Sequence, residues 1–359
     1  MTRLLPLFAL LLTLLTLAAC GQTAPKPAPP VPETDVDLTA VKQYALDHAA
    51  QMKTGTSALA VTAQTYHDLL AANGFDYAAA WASHPDELTQ LVQQARDNWL
   101  TASNNYELNE GIVAGVPSLA FYDTWIDAGP SGEEDPAAAY QWTLALPNGT
   151  SLENPGNFFH SLLEPTIWGT RAEFTGLKVD LDGDGAVTLG EALPDANVLL
   201  GAAQGLDQAT DEMTAAIETW QPTVSDAFTA LVVMIPTMNE YFEQWKLSAY
   251  VAGQDSEEAA FIGTSRLVDI AGILNGLDVT YDNVGVLVAS ADKNQHAQIR
   301  DGFADLQSYV TDLHAQEASG TVFTSQQADL FGTEAQAKAT ALAGQVAQVA
   351  ALLNVKIAE

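Results

Sequence analysis

Four stretches of the chain carry apolar side chains at alternating spacings of three and four. That period admits an α-helix with a single buried face and little else. Val224, Phe228, Leu231, Ile235, Met238, Phe242 and Trp245 run 4,3,4,3,4,3, and Leu267, Ile270, Leu274, Leu277, Tyr281, Val284 and Val288 run 3,4,3,4,3,4. Ile299, Phe303, Leu306, Val310 and Leu313 follow, then Leu342, Val346, Val349 and Leu353. Such stripes pack on one another as antiparallel helices in a bundle. Pro236 lies inside the first stripe and predicts a kink there, because it removes a helix hydrogen bond and its ring crowds the preceding turn. Further helices are predicted near residues 39–71 and 86–113, the second capped by Asp86 after His84-Pro85. No convincing half-buried strand pattern occurs. The fold class is therefore all-α, with two bundle-like halves at 38–175 and 196–359 separated by a loop segment at 176–195.

Charge narrows the partners. Asp+Glu number 45 against 13 Lys+Arg, for a formal net charge of −32. Charged residues are only 16% of the chain, so the imbalance reflects a shortage of bases. Phosphate backbones need clustered Lys and Arg, which excludes nucleic acid, and an anionic membrane surface is disfavoured for the same reason. Cations and basic partners fit. A single Cys excludes an intramolecular disulfide framework and any multi-Cys metal site.

That Cys has a place of its own. Met1-Thr2-Arg3 is a short basic start, Leu4 to Ala19 is a leucine-rich run, and Leu17-Ala18-Ala19-Cys20 ends it. The run is shorter than the roughly 20 residues a spanning helix needs, so residues 1–19 read as a cleaved secretory signal. Small residues before Cys20 resemble a bacterial lipobox, with Cys20 the lipidated first residue of the mature chain. Cleavage removes Arg3 and no acid, giving −32 − 1 = −33. Pro25, Pro27, Pro29, Pro30 and Pro32 make residues 20–37 an extended tether. The expected location is extracytoplasmic, anchored by lipid to a bacterial membrane, with the folded part starting near Leu38.

Asp180-Leu-Asp182-Gly-Asp184-Gly185-Ala186-Val-Thr188-Leu-Gly-Glu191 fits the twelve-residue EF-hand-type calcium loop at positions 1, 3, 5, 6, 8 and 12. Asp180, Asp182 and Asp184 would supply carboxylates, Ala186 its carbonyl, and Thr188 a direct or water-mediated oxygen. Glu191 would close the shell from the first turn of an exit helix, and Gly185 permits the reversal the loop needs. Thr175-Gly176 and Pro194 interrupt the flanks, which points to a structural Ca2+ clip rather than a sensor.

The most informative stretch runs from Asn154 to Gly169. Asn154 is predicted to cap, and Pro155 to open, a short helix on which His160 and Glu164, four apart, share a face. An imidazole and a carboxylate on one face make half of a metal site; by spacing alone they equally make an ordinary surface pair. His48, His67, His84, His296 and His314 have no metal-ligand spacing. The long loop at 115–156 carries Tyr122, Trp125, Tyr140 and Trp142, which would stack on a sugar or pack in the core.

The run Phe159-His160…Glu164…Trp168-Gly169 resembles the Gly-x-His-x-x-Glu…Trp-Gly signature of the imelysin-like family. Trp99, Tyr106 and Glu110, then Ile126-Asp127, then Ser265-Arg266-Leu267-Val268-Asp269, are similar to further family positions. The likeness spans roughly Leu38 to Leu353, with the calcium loop inserted. It departs in one respect: Ser161 falls where the family His should stand, and His160 is one residue early. A helix bulge would restore the imidazole to the site. The resemblance implies a site between helices built from Glu110, Asp127, His160 and Glu164, with Glu110 and Glu164 foremost. It also implies a transition metal, iron by preference or Zn2+, and passage to an iron permease or other envelope protein. Three functions follow: metal capture, or iron uptake when iron is the cargo; a metallopeptidase, although no His-Glu-x-x-His occurs; and a calcium-clipped surface protein that binds a polymer or another protein.

Overall fold

A computed structural model describes residues 36–256 and 258–358. The segments expected to be a signal sequence and a tether, with Cys20 between them, lie outside the described residues up to residue 35. The chain forms α1 (Thr39–Ala72), α2 (Tyr77–Ser83), α3 (Pro85–Val113) and the single turn α4 (Ala120–Asp123), which runs into a π-helical turn at Thr124–Ala128. The hairpin β1 (Thr143–Ala145) and β2 (Ser151–Glu153) follows, then a second π-helical turn, Phe158–Leu163, continuing into α5 (Glu164–Ile167). Strands β3 (Thr175–Lys178) and β4 (Ala192–Pro194) bracket the acidic loop, and α6 (Ala196–Thr219) follows. The remainder holds α7 (Val224–Met234), α8 (Met238–Leu247), α9 (Ala249–Ala252), α10 (Arg266–Ala291), α11 (Lys293–Ala318) and α12 (Ser325–Leu353). Among the described residues no helix is long and apolar enough to cross a membrane.

The fold is all-α apart from the two small antiparallel strand pairs, which were not anticipated. Strands of three or four residues are too short for alternation to be read. The stripes are buried along their length, Leu353 alone remaining partly exposed. Pro236 sits in a 3-10 turn, Ile235–Thr237, that separates α7 from α8 without interrupting the buried face. Side-chain caps set several boundaries: Thr223 and Asp226 form a reciprocal box at α7, Thr324 and Gln327 another at α12, and Asp195 caps α6.

Two expected caps are corrected. Helix α3 starts at Pro85, so Asp86 lies in its first turn, where it complements the helix dipole instead of capping. Asn154 does not cap the His160 helix; it sits at φ 48° in the left-handed region. The helix opens at Phe158, where the side chain of Asn157 accepts from the N–H groups of His160 and Ser161.

Helix α1 packs on α3 and α6, α12 packs on α7, α8 and α11, and α10 joins the halves by lying against both α3 and α11. The α3–α10 contact is close because glycines line it. A Cβ at Gly276 would come within 2.6 Å of the Leu108 carbonyl oxygen, and one at Gly272 within 3.0 Å of the Glu107 Cβ. This approach sets Glu107 against the first turns of α10. Gly276→Ala is expected to destabilise the protein by about 1–3 kcal/mol through overpacking, even though alanine is the better helix former by roughly 1 kcal/mol. Chemical denaturation checks this, and unchanged or raised stability would contradict the close approach.

Candidate metal centre

The chemistry gathers at a cleft of about 460 Å³ lined by Glu110, Asp123, Asp127, His160, Tyr241 and Arg266 among others. Helix α3 supplies Glu107 and Glu110, three apart on one face and both 1% exposed. The first π turn delivers Asp127, with Asp123 one residue ahead of that turn. The second delivers His160. The first turn of α10 adds Arg266 and Asp269. A π turn inserts one residue into the helical register. The offset seen in the sequence is thereby absorbed, and His160 is carried into the site.

His160 is held at Nδ1 and stands beside Asp127 at Nε2. Nδ1 lies 2.8 Å from Glu164 Oε2, and Nε2 lies 3.1 Å from Asp127 Oδ1. A carboxylate only accepts, so Nδ1 carries the proton donated to Glu164. Glu164 also accepts from the backbone N–H of Phe261 at 2.9 Å and from those of Ile262 and Gly263, each at 2.8 Å. Four donors fill its lone-pair positions. The expectation that Glu164 stands beside Glu110 as a leading ligand is therefore corrected: its oxygens are taken, and it stands behind His160. Phe261 adopts φ 56°, a left-handed conformation that a bulky residue rarely takes. Through it the three N–H groups converge on one carboxylate.

The other acids are less well partnered. Tyr241 donates its hydroxyl to Glu110 Oε1, and Tyr106 donates to Asp123 Oδ1 at 2.7 Å. Arg266 pairs with Asp269 at 2.9 Å and approaches Glu107 Oε1 only to 3.7 Å. Both oxygens of Glu107, Oε2 of Glu110, Oδ1 of Asp127 and Nε2 of His160 are buried with no hydrogen-bond partner. The 3.1 Å approach of His160 to Asp127 thus lacks hydrogen-bond geometry. Two donor atoms close together with no hydrogen bond between them are what shared ligation of a cation requires. Ligand atoms of Glu107, Asp127 and His160 lie within 4.8 Å of one another, as do those of Glu110, Asp123 and Asp127.

The electrostatics follow. Burial, reinforced by Asp127, pushes the Glu110 carboxyl up to about 7. Burial, then the charges of Asp269 and Glu110, lifts Glu107 well above the carboxylate range. Burial likewise lifts Asp123, with Glu110 and Asp127 adding to it. Burial disfavours ionised Asp127, but the His160 charge outweighs it and holds the group low. Burial also opposes the imidazolium of His160, and Asp127 and Glu164 overcome it, raising the ring to about 9. The donor set of carboxylates plus one imidazole fits a transition-metal dication.

Glu107, Asp123, Tyr241, Arg266 and Asp269 were missed as site residues. Arg266 and Asp269 stood within a stretch already matched to the family. Acids at 107 and 110 inside a buried helix face were the available signal for the others.

The acidic loop is a separate place. Asp180, Asp182 and Glu191 can present oxygens within 4.8 Å of one another. Asp180 accepts from the N–H groups of Gly183 at 2.7 Å and Gly185 at 2.8 Å, while Gly185 has φ 94°. Glu191 accepts from Leu181 at 3.0 Å and from Thr188 N–H at 2.6 Å. Asp184 instead turns back to the N–H of Ala186 at 2.8 Å. The exit helix expected at Glu191 is corrected: β4 begins at Ala192 and pairs with β3, and α6 starts only after Asp195. Tyr122, Trp125 and Trp142 pack partly buried against the core, Trp142 lying 4.9 Å from Phe158 between ring centres, and Tyr140 is exposed.

The model of the imelysin family matches residues 40–353, and the chain belongs to that family. A search of curated proteins finds no match.

The two glutamates make opposite contributions to the metal-free fold. Glu164→Gln removes an acceptor from four donors and is expected to cost about 3–5 kcal/mol, the usual penalty for breaking a buried charged pair. Glu107→Gln replaces a buried carboxyl that burial already keeps from ionising and that has no hydrogen-bond partner, and is expected to leave the chelated protein as stable as before, or more so. Urea denaturation after chelation checks both, and a large loss for Glu107→Gln would show that its carboxylate is satisfied.

Proposed function

We propose that this imelysin-family chain captures a transition-metal dication at the face of a bacterial membrane, to which Cys20 tethers it. Iron is the cargo the family likeness favours, though the same donor set would also take manganese or zinc. One observation carries the reading: buried atoms of Glu110, Asp127 and His160, which line a single cleft, and both oxygens of Glu107, whose ligand atoms lie within 4.8 Å of those of Asp127 and His160, have no hydrogen-bond partner. A fold leaves such groups unpaired at a cost of about 1–3 kcal/mol each, more when charged, unless a ligand completes them. Glu107, Asp127, His160 and Glu110 would hold the ion. Glu164 would fix the tautomer and aim of the imidazole, the usual part of a carboxylate behind a ligating His. Glu134, Glu240 and Glu258 also line the cleft, and with the net charge of −32 they would raise the local cation concentration. An envelope permease is the recipient such a carrier would serve.

The acidic loop would take Ca2+ as a clip on the β3–β4 hairpin. Outside the cytoplasm calcium is abundant, and dissociation constants on the order of 10⁻⁴–10⁻³ M suffice.

Titration calorimetry of the chelated mature chain with Zn2+, in excess Ca2+, is expected to show binding that His160→Ala and Glu164→Gln each weaken, the latter about 10–100-fold. Glu110→Ala should weaken Zn2+ binding and leave the calcium response untouched. No uptake of Zn2+, Mn2+ or anaerobic Fe2+ would overturn the capture reading. Separately, Ca2+ at about 100 times its dissociation constant is expected to add roughly 2.7 kcal/mol of stability, and the Asp180→Asn, Asp182→Asn double variant should lose that gain while keeping Zn2+. A melting temperature indifferent to Ca2+ would end the clip.

A further inference from the structure

We infer that the centre holds two divalent cations, with Asp127 bridging them. The inference rests on the capture reading and extends it. Among the described residues the ligand groupings at the cleft are two, not one: Glu107, Asp127 and His160 form the first, and Glu110, Asp123 and Asp127 the second. Asp127 is the only member of both. In each grouping the ligand atoms lie within 4.8 Å of one another, and carboxylate-bridged metal pairs stand about 3.5–4 Å apart. Each position also has an unpartnered, buried donor of its own. Both oxygens of Glu107 and Nε2 of His160 serve the first, and Oε2 of Glu110 serves the second; Glu107 and Glu110 are each 1% exposed.

Charge balance points the same way. Asp269 is neutralised by Arg266 at 2.9 Å, and Glu164 is held by three backbone N–H groups and the imidazole. Among the described residues, Glu107, Glu110 and Asp123 have no cationic hydrogen-bond partner, and Asp127 has only the His160 ring, 3.1 Å away. With that ring neutral and ligating, one dication would leave two of the four ionised carboxylates unbalanced; two dications balance all four. The tyrosines fit this assignment. Tyr241 and Tyr106 each occupy one oxygen of Glu110 and Asp123, leaving the other of each for a metal. The second position also lies on the cleft side, since Glu110, Asp123 and Asp127 all line it while Glu107 does not. The pair is thus an outer and an inner position joined by one carboxylate.

The test loads the chelated mature chain with Mn2+ in excess Ca2+, which keeps the acidic loop out of the count. Metal per chain is read by elemental analysis and native mass spectrometry, and the environment by electron paramagnetic resonance. Two Mn2+ per chain with an exchange-coupled spectrum are expected. Glu110→Gln should leave one Mn2+ with an isolated six-line spectrum, and Asp127→Asn should remove both. Asp123→Asn serves the same purpose as Glu110→Gln should that variant fail to show native helical circular dichroism. Saturation of the unaltered chain at one Mn2+ with a six-line spectrum overturns the pair while leaving capture intact. Loss of all metal on Glu110→Gln also overturns it, because the two groupings would then be one site. No metal in the unaltered chain defeats capture itself, and the pair with it.

Discussion

Uncompensated negative charge in the interior is the constraint around which the structure is arranged. Glu107, Glu110 and Asp127 are at most 2% exposed, and the nearby cationic groups are Arg266 and the His160 ring. Bringing an ionised carboxylate out of water costs several kcal/mol even after the protein relaxes. A chain that buries several of them together, with oxygens that no donor reaches, is less stable than its apolar core would allow. The remainder of the fold keeps those groups from relaxing away from one another.

Rigidity at the cluster comes from backbone more than from side chains. The glycine-lined approach of α3 and α10 fixes Glu107 against the start of α10. Two π turns, each one residue richer than a regular turn, set Asp127 and His160 toward each other. The strap at 261–263 spends the left-handed conformation of Phe261 to bring three N–H groups onto Glu164. Around this, the Trp99 ring packs edge-on against Phe159, Trp168 and His160, and the Arg266 guanidinium lies 4.5 Å from the Tyr241 ring and 4.4 Å from that of Phe261. These aromatic walls lower the local dielectric, so charge interactions beside them are stronger than at the open surface.

The helices were legible because a 3,4 apolar period has one structural meaning, and burial of the four stripes follows it closely. The site was legible only in part. His160, Asp127 and Glu110 could be named through the family signature, and the one-residue offset of His160 already required an irregular turn. Glu107 and Asp123 were not legible, because an acid within a helix reads as solvated unless the burial of its face is known. That burial depends on α10, more than 150 residues away along the chain. Glu164 was legible as important but not in its role. The backbone donors that fill it come from residues 261–263, and no local pattern foretells where a loop will turn its N–H groups. The two hairpins escaped because pairing partners, not strand sequence, define them.

The acidic loop and the cleft are fastened to the same piece of backbone. Gln254 accepts from the N–H of Leu189 at 3.0 Å, and the Arg96 guanidinium donates to the carbonyl of Gly190. A Cβ at Gly190 would lie 3.2 Å from Trp168 and 3.5 Å from Ile262, the latter a residue whose N–H holds Glu164. The end of the loop therefore packs on the strap that orients the carboxylate behind His160. Anything that orders residues 180–191 restricts the strap, and anything that loosens them frees it. Coupling of this kind needs no long pathway: one contact layer separates the loop from the backbone amides that fix the imidazole, and interiors packed at crystal-like density pass such displacements on.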